Sequence, residues 1–373
     1  MTALRLFAVL VSCCLSGIGV AALPERFTDP TDGAFDLSKH LLEHSGFLPV
    51  PIIVTEPALG YGLGAAAVYF DEAMASKNQG RAAGDRFAPP SITALGGFKT
   101  ENGSWGAGAG LFRSWHDDRF RYLGGLGKAG LNLDYYGPLG RPRSYRLDGL
   151  GLVQQLTMRL ADSDWMLGGR YVFLSARSDF GASVPSVIRR DELDIDIGKL
   201  GLLLHYDSRD NILTPNRGTL AELEFAAARD WLGSSRDFEN LTARAFHYTP
   251  LGDDLVLGLR ADFQLATEET PFFRLPFIDL RGVPALRYQD RRTAVVETEL
   301  RWNVTPRWAL VGFVGAGRAF GRTGDFSDAD TVVARGAGIR YLLARKLGLY
   351  GGIDVARGPE EDAFYIQIGS AWR

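Results

Sequence analysis

Apolar and polar side chains alternate along several segments of this chain, and residues 293–303 show the pattern clearly. The even positions carry Ala, Val, Thr, Leu and Trp, whereas the odd positions include two Glu, an Arg and an Asn. A period of two predicts a β-strand, because successive side chains of a strand point to opposite faces. Residues 254–266 alternate in the same way, with leucines on one face and Arg260 and Asp262 on the other. Each segment is therefore expected to have one apolar and one charged face.

Sixteen segments with strand character can be placed along the chain. They predict an all-β fold, a transmembrane antiparallel β-barrel of 16 strands, in which lipid contacts one face and a wet lumen the other. The turns alternate between short (162–164) and long (180–191), as they do in bacterial barrels. The predicted strands cover residues 52–54, 60–70, 91–99, 104–113, 119–135, 145–160, 165–178, 193–205, 219–228, 240–248, 254–266, 293–303, 308–320, 332–345, 347–356 and 364–372.

Aromatic residues fall at the ends of several predicted strands. Trp165, Trp231, Trp302 and Trp308 occupy such positions, where membrane barrels carry their interfacial aromatic belts. The last predicted strand is expected to direct four apolar side chains outward, namely Phe364, Ile366, Ile368 and Trp372.

Two neighbouring positions distinguish the lipid face of residues 254–266 from the lumen face. Leu259 is expected to face lipid, so Leu259→Arg should cost about 2–4 kcal/mol if it lies near the bilayer midplane. Arg260 is expected to face the lumen, where Arg260→Leu should be far milder.

The first 22 residues have the pattern of a signal peptide. Arg5 precedes an apolar run that ends in two alanines, which offer a small-residue cleavage site. Residues 23–50 are expected to form a periplasmic lead-in, with a short helix capped by Asp36, or a lid over the periplasmic mouth. Residues 51–373 would then form the barrel.

The composition excludes several kinds of site. Both cysteines, Cys13 and Cys14, lie in the predicted signal peptide, so the mature chain would have no disulfide, cysteine ligand or thiolate nucleophile. Removing Arg5 from the 41 basic residues leaves 40 against 44 acidic ones, a formal charge of −4, which gives no basic face for nucleic acid. No complete set of catalytic residues is present, so the protein is expected neither to be an enzyme nor to bind a cofactor.

One short match to a metal-binding motif falls in the lead-in. His40, Glu43 and His44 fit the pattern H-x-x-E-H, in which two His on one helix face bind zinc and the Glu serves as a base. However, the motif has only three fixed positions, the helix would be short, and no third ligand follows. We therefore predict no metal site and no catalytic residue.

Two short motifs occur in the long connection before residue 293. Leu280, Arg281 and Gly282 form the first, and Arg287 and Tyr288 form the second. Together they resemble the sixth extracellular loop of the BamA/TamA family of outer-membrane barrels. The resemblance implies that the loop folds back into the barrel, and Gly282 would permit a tight backbone path beside Arg281.

The strand after this loop extends the resemblance. Glu299 matches the acid that pairs with the loop arginine in that family, here Arg281. The family often has an Asp on the next strand, where this chain has Gly315. Glu297 shares the predicted lumen face with Glu299 and is expected to replace that Asp. A guanidinium among carboxylates can then form bidentate hydrogen bonds.

A second set of residues resembles the periplasmic turn that the family places halfway round the barrel. It consists of Asp207, Arg209, Asp210, Pro215 and Gly218. The two Asp side chains can accept hydrogen bonds from backbone N–H groups, and the Arg can pair with a carboxylate. These residues are expected to shape the turn rather than to catalyse a reaction.

The resemblance extends over residues 46–373, and residues 24–51 are too few to form a POTRA repeat. It implies a BamA/TamA-like barrel without POTRA domains, in the outer membrane of a Gram-negative bacterium. The implied function is membrane-protein insertion and assembly or polypeptide transport, with outer-membrane lipid and client membrane proteins as partners. The alternative is a stand-alone pore or structural barrel that passes small solutes. Insertion predicts a weak seam between the first and last strands, whereas a pore predicts a firm one, and the oligomeric state stays open.

Overall fold

The computed structural model describes residues 24–77, 89–137, 140–181, 184–322 and 324–372. They form one antiparallel sheet of 16 strands in sequence order, so the predicted all-β barrel is confirmed. The signal peptide predicted for residues 1–22 lies outside the described residues. The strands are β1 (Gly46–Val54), β2 (Gly62–Phe70), β3 (Ile92–Thr100), β4 (Trp105–Trp115), β5 (Phe120–Tyr136), β6 (Pro142–Arg159), β7 (Trp165–Asp179), β8 (Asp194–Asp207), β9 (Gly218–Ala228), β10 (Phe238–Pro250), β11 (Leu255–Ala266), β12 (Arg292–Asn303), β13 (Trp308–Phe320), β14 (Val332–Ala344), β15 (Leu349–Arg357) and β16 (Asp362–Ile368).

The helical segments are short. Helix α1 (Ser38–Glu43) precedes β1, and helix α2 (Met74–Lys77) follows β2. No helix within the described ranges has both the length and the apolar character needed to cross a membrane. Single 3-10 turns cover Glu25–Phe27, Arg190–Glu192, Asp230–Leu232, Phe272–Arg274 and Arg345–Leu347.

The two faces of the sheet differ as the alternation predicts. On β12, Val296 and Leu300 point outward and are 59% and 42% exposed, whereas Val295 and Glu297 on the lumen face are 3% and 4% exposed. Many large apolar side chains are similarly exposed on the other strands. A soluble monomer rarely exposes so large an apolar surface, so we assign the outer face to lipid.

The two ends of the barrel carry different connections. We call the end with the long 267–291 connection the loop end, and the end with the 208–217 connection the turn end. Trp165 and Trp308 are exposed at the turn end, and Trp231 is exposed at the loop end. Exposed tryptophans at both ends are typical of belts at two membrane interfaces.

The first strand begins earlier than the sequence suggested. β1 starts at Gly46 rather than at residue 52, and it stays in register with β2 through Pro49 and Pro51. Proline has no backbone N–H, so strands tolerate it at sheet edges where no donor is needed. β1 lies at such an edge. The barrel therefore starts ahead of the expected boundary at residue 51.

The last strand ends earlier than expected. β16 stops at Ile368, and Gly369 adopts a φ of +81° where the chain turns inward. The prediction that Trp372 points outward is wrong, because its side chain is 5% exposed and packs against Phe246 and Tyr248. Its indole N–H donates a 2.8 Å hydrogen bond to Glu297. A buried tryptophan needs such a partner, and the lumen supplies it where lipid would not.

The first and last strands do not pair with each other. The described residues form a ladder from β1 to β16 that has no pairing between these two strands. We call this gap the seam. The sheet is thus nearly closed by its curvature but not by backbone hydrogen bonds, as expected for a barrel with a weak seam.

Candidate functional site

The 267–291 connection, hereafter the lumen loop, folds into the barrel. Two clusters of buried apolar side chains hold it against the wall. The first joins Phe272 and Phe273 of the loop to Tyr135 and Phe238 of the strands. Full burial of such a side chain typically contributes about 1.5–3 kcal/mol, so packing alone favours the inward position. The second cluster joins the loop to β12 and β14 and contains Ile278, Leu280, Val283, Val295, Val332 and Ala334.

Arg281 lies among acidic side chains inside the lumen. Its Nε and Nη2 donate to Glu297 Oε1 at 3.1 and 2.7 Å, and its Nη1 donates to Asp354 Oδ2 at 2.9 Å. Nη1 also lies 2.8 Å from Glu299 Oε2, an ion pair without hydrogen-bond geometry. The guanidinium carbon stacks 3.5 Å from the centroid of the Phe313 ring. The structure therefore brings the loop arginine together with both acids named from the sequence, and with a third.

Glu297 is shared by several donors. Its Oε1 accepts from Arg281, while its Oε2 accepts from Trp372 Nε1 at 2.8 Å and from Arg260 Nη1 at 3.3 Å. Arg260 also bonds Asp262, at 3.0 Å from Nε. The expectation that Arg260→Leu is far milder than Leu259→Arg is therefore revised, because two buried carboxylates, those of Asp262 and Glu297, would lose a cationic partner.

Two residues that extend these contacts, Asp354 and Arg340, were not found from the sequence. Asp354 on β15 is fully buried, and its carboxylate accepts from Arg281 and from Arg340 of β14.

Gly315, where the family often has an Asp, lies on β13. A Cβ at this glycine would be 2.5 Å from Leu280 Cδ2, so the lumen loop occupies the space. The missing acid is thus compensated by Glu297 and by a carboxylate from a more distant strand.

The remaining loop residues contact the last hairpin. The N–H of Gly282 donates to the Tyr365 hydroxyl at 2.9 Å. Gly282 has a φ of +90°, and a Cβ there would lie 2.9 Å from backbone of the β15–β16 turn, so only glycine fits without strain. Arg287 Nε and the Tyr288 hydroxyl each donate to Glu360 at 2.9 Å. The loop motifs therefore attach the lumen loop to β16 and its preceding turn.

The buried charges of this network come close to balance, with three cations facing four carboxylates. Burying ions is costly unless each is paired. Such a network fixes one position of the loop when all partners are present, and removing one partner of a buried pair typically costs about 3–5 kcal/mol. Its members are Arg260, Arg281, Arg340, Asp262, Glu297, Glu299 and Asp354.

The second motif shapes the long connection at the turn end. Asp207 accepts from Arg209 Nε at 2.8 Å and from Nη2 at 3.0 Å. Asp210 Oδ1 accepts two backbone N–H bonds within the turn, at 3.0 and 3.2 Å. Pro215 is fully buried, and Gly218 has a φ of +101° in a position where a Cβ would lie 2.3 Å from a backbone oxygen. These contacts match the local roles expected from the residue types.

This turn also reaches other parts of the chain. Asn211 Nδ2 donates to the carbonyl of Leu347 at 2.8 Å, and the N–H of Ser370 donates to the carbonyl of Leu213 at 2.6 Å. Arg301 of β12 bonds the Pro215 carbonyl at 3.4 Å. The β8–β9 turn, the β14–β15 turn and the residues after β16 therefore meet at the turn end.

Residues 24–45, the N-terminal segment, pack at the turn end. The Leu37 N–H donates to the carbonyl of Leu343 at 2.7 Å. An apolar cluster joins the segment to β1 and β2 on one side of the seam and to the end of β14 and the β14–β15 turn on the other. Its members include Leu37, Leu41, Leu42, Leu48, Phe70, Met74, Ala344 and Leu347.

Ion pairs reinforce this attachment. Arg307, in the β12–β13 turn, is 6% exposed and contacts three carboxylates, those of Asp29 at 2.6 Å, Asp32 at 2.8 Å and Asp36 at 2.7 Å. Arg345 contacts Asp29 at 2.8 Å and also pairs with Asp32. Asp36, expected to cap the short helix, accepts the Ser38 N–H at 2.6 Å. Two arginines thus bind three acids of the N-terminal segment.

These contacts lower the pKa of all three carboxyl groups. The Thr31 N–H and the two guanidinium groups lower the pKa of Asp29. The hydrogen bond from Arg307 lowers the pKa of Asp32 to well below its usual range. Burial alone would raise the pKa of Asp36, but hydrogen bonds from Ser38, Arg345 and Arg307 leave it lowered. All three acids therefore favour the ionised form in the folded chain.

Within the described residues, no further ligand joins the zinc-like motif of His40, Glu43 and His44. The rings of His40 and His44 have centroids 5.3 Å apart, and they pack against Phe27 and Phe70 respectively. Across the part of the chain that the structure describes, no group of three or more His, Cys, Asp or Glu side chains could hold a metal ion.

Side-chain contacts bridge the seam at both ends. At the turn end, the N-terminal segment joins the β1–β2 side to the β14–β15 side. At the loop end, the N–H of Ala285 donates to Glu56 of the β1–β2 connection at 3.0 Å, while neighbouring loop residues bind Glu360 and Tyr365. The seam is therefore held at its ends and unpaired along its strands.

The architecture and part of the sequence match known proteins. The Omp85 superfamily domain matches residues 127–280. BamA from Haemophilus ducreyi lacking POTRA domains 1–3 is similar, at 12% identity and a TM-score of 0.58, over 88% of this chain and 70% of that one. CdiB from Escherichia coli (12%, 0.60; 85% and 61%) and CdiB from Acinetobacter baumannii (12%, 0.56; 86% and 59%) are also similar. No curated protein sequence matches significantly.

The sequence match and the structure matches differ in extent, over residues 127–280 and over 85–88% of the chain respectively. The superfamily domain includes the turn motif and extends into the lumen loop. The solved barrels share the fold, and this chain spans 59–70% of their lengths. The resemblance to the BamA/TamA family is thus supported by an Omp85 superfamily match over residues 127–280, and the chain has the fold of these barrels.

Proposed function

We propose that this barrel lies in the outer membrane of a Gram-negative bacterium and helps other polypeptides to enter or cross it, without catalysing a chemical reaction. The observation that carries the proposal is the seam, since the described residues include no pairing between β1 and β16. An unpaired strand edge offers N–H and C=O groups to an incoming strand. In lipid, each unsatisfied group of this kind costs several kcal/mol, so a client strand would be a favourable partner.

Two prolines explain why the seam stays unpaired. The β1–β2 ladder continues through Pro49 and Pro51, so both residues occupy positions where β2 requires no N–H. Alternate residues of a strand face the same neighbour, so both prolines face the seam and remove two successive donors from that edge. β16 contains no proline and keeps its donors. We infer that β16 is the edge that pairs with a client strand.

The contacts at the two ends of the seam support a controlled opening. The N-terminal segment and the lumen loop each hold both sides together through side chains, which can separate without breaking a strand ladder. The lumen loop also occupies the lumen, and the N-terminal segment and the β8–β9 turn lie over the turn end. This arrangement favours polypeptide insertion over the alternative of an open pore for small solutes.

The test is to restore the missing donors in β1. The double variant Pro49→Val/Pro51→Val should allow β1 to pair with β16 and should lower the rate of client-barrel folding in liposomes by about thirtyfold, the value of two net hydrogen bonds of about 1 kcal/mol each. Pro142→Val, at the first residue of β6, is the matched control and should leave the rate unchanged. Heat-modifiable gel mobility measures client folding, and planar-bilayer recordings measure conductance.

Two results would contradict the proposal. If β16 amides became protected from hydrogen exchange in the double variant while client folding continued at the original rate, the seam would not be the site of templating. If the original barrel folded no client but conducted steadily, the pore alternative would be favoured.

A further inference from the structure

The β1–β8 side of the lumen contains a cavity that polypeptide insertion does not use. Its volume is about 600 Å³, which lies within the range of small-molecule sites in proteins. It is separate from the charge network around Arg281. Its walls are mostly apolar and include Ile52, Val153, Val172, Leu174, Ile197 and Phe238.

Glycines on the barrel wall make room for this cavity. Gly108, Gly127 and Gly151 line it and contribute backbone alone. A Cβ at Gly151 would find no atom nearer than 3.9 Å, so the space in front of it is open. Larger residues on these lumen-facing positions would fill the cavity.

Two cations line the same cavity. Lys199 projects from β8, and Arg274 comes from the short 3-10 turn of the lumen loop. Neither side chain has a hydrogen bond or ion pair with the residues that the structure describes. The neighbouring Arg170, in contrast, pairs with Glu224 at 2.6 Å. Lys199, Arg274 and Arg170 carry three positive charges, and Glu224 carries one negative charge. Two positive charges of this group therefore remain uncompensated.

The chemistry of the walls limits what can bind. A cation in an apolar surrounding is stabilised by an anion, and charge-assisted hydrogen bonds from Lys and Arg suit carboxylates and phosphates. The apolar walls are stabilised by contact with hydrocarbon rather than water. A ligand that satisfies both has an anionic head and an apolar chain. Ile52 belongs to β1, so the cavity also borders the seam, through which an acyl chain could enter from the membrane.

We propose that this cavity binds a single-chain amphipathic anion, with its head group on Lys199 and Arg274 and its acyl chain along the apolar wall. The site goes beyond polypeptide insertion and does not depend on it. Long-chain carboxylates are the simplest members of this class.

The binding can be measured by isothermal titration of the whole barrel in nanodiscs of zwitterionic lipid, with protein-free nanodiscs as the blank. Laurate should bind, dodecanol should bind at least tenfold more weakly, and inorganic phosphate should not bind measurably. Lys199→Gln/Arg274→Gln should weaken laurate binding by about tenfold or more, the usual effect of losing charged hydrogen bonds. Arg177→Gln is the matched control, since Arg177 pairs with Asp194 outside the cavity and is exposed.

A second variant tests the apolar half of the site. Gly151→Phe keeps both cations but fills the open space, and it should also weaken laurate binding. It gives an independent result if the double variant fails to show the gel mobility of a folded barrel. Equal laurate affinity in the original barrel and in these variants would overturn the proposal. Phosphate or dodecanol binding as tight as that of laurate would overturn it as well.

Discussion

Arg281 combines a full set of partners with little exposure, so its removal should be costly. Arg281→Ala leaves the carboxylates of Glu297, Glu299 and Asp354 without a shared cation, and we expect the free energy of unfolding to fall by about 3–5 kcal/mol. Urea titration in detergent, followed by gel mobility, measures this change. Arg177→Ala is the control, because its pair with Asp194 is exposed and is typically worth about 0–1 kcal/mol. Equal losses in both variants would contradict a buried network.

Leu259 and Arg260 test the two faces of β11 at neighbouring positions. Leu259 is 44% exposed on the outer face, so Leu259→Arg should cost about 2–4 kcal/mol if it lies near the midplane. Arg260→Leu should cost a similar amount, about 3–5 kcal/mol, because Asp262 and Glu297 lose their cation. Leu259→Ile is the matched control and should assemble normally. The fraction of heat-modifiable protein in membranes is the measure, and normal assembly of Leu259→Arg would contradict the lipid-facing assignment.

At the residue scale, contacts could be predicted from the sequence only for residues in or beside a recognised motif. Arg281 could be named because it lies in a loop motif. Glu297 and Glu299 could be named because they lie on the strand that follows the loop. Asp354 could not, since it is 73 positions away from Arg281 and a single acid on a strand has no distinctive signature. Trp372 was misplaced because alternation continued past Ile368, and the change of direction depends on the backbone at Gly369.

At the scale of elements, the N-terminal segment gives a prediction about pH. The folded chain lowers the pKa of Asp29, Asp32 and Asp36, so their contribution to attachment is fully present above the unfolded carboxyl pKa of about 3.9. It should be lost as the pH falls below that value towards the folded pKa values. Hydrogen exchange at the Leu37 amide, corrected for its intrinsic rate, should therefore accelerate as the pH falls from 5 to 2.

Hydrogen exchange at the Leu37 amide can also be compared between variants at neutral pH. Arg307→Ala should speed its exchange at pH 7, because three acids lose a common partner, whereas Arg335→Ala on β14 should not. Exchange that stays equally slow at low pH and in Arg307→Ala would show that apolar packing alone holds the segment.

The strands themselves were the most predictable elements. A period of two is a local property, so fifteen of the sixteen strands could be located from their own residues. The start of β1 could not, because Pro49 and Pro51 argue against a strand unless it lies at an edge. Whether a segment lies at an edge depends on the whole sheet. Local sequence could therefore give the strands, but not the position that makes these prolines acceptable.

At the scale of the whole molecule, the parts that close the barrel are far apart in sequence. Tyr341 bonds Phe35 at a separation of 306 residues, and Ala285 bonds Glu56 at a separation of 229. Such contacts leave no local pattern, so neither the bridged seam nor the cavity beside it could be read from the sequence. The number of strands and the identity of the lumen loop were accessible, because alternation and a family motif specify them.

The two halves of the barrel should differ in mechanical compliance. Ion pairs and the lumen loop connect neighbouring strands in the half of the barrel from β11 to β15. Much of the inner wall from β2 to β6, in contrast, consists of glycine and alanine, which offer few side chains to resist bending. A strand pressing into the seam would therefore displace β1 and its neighbours, while β16 stays nearly fixed through Tyr365 and Glu360. Opening would then be a one-sided deflection, in which the stiff half keeps its register and the soft half stores the elastic strain.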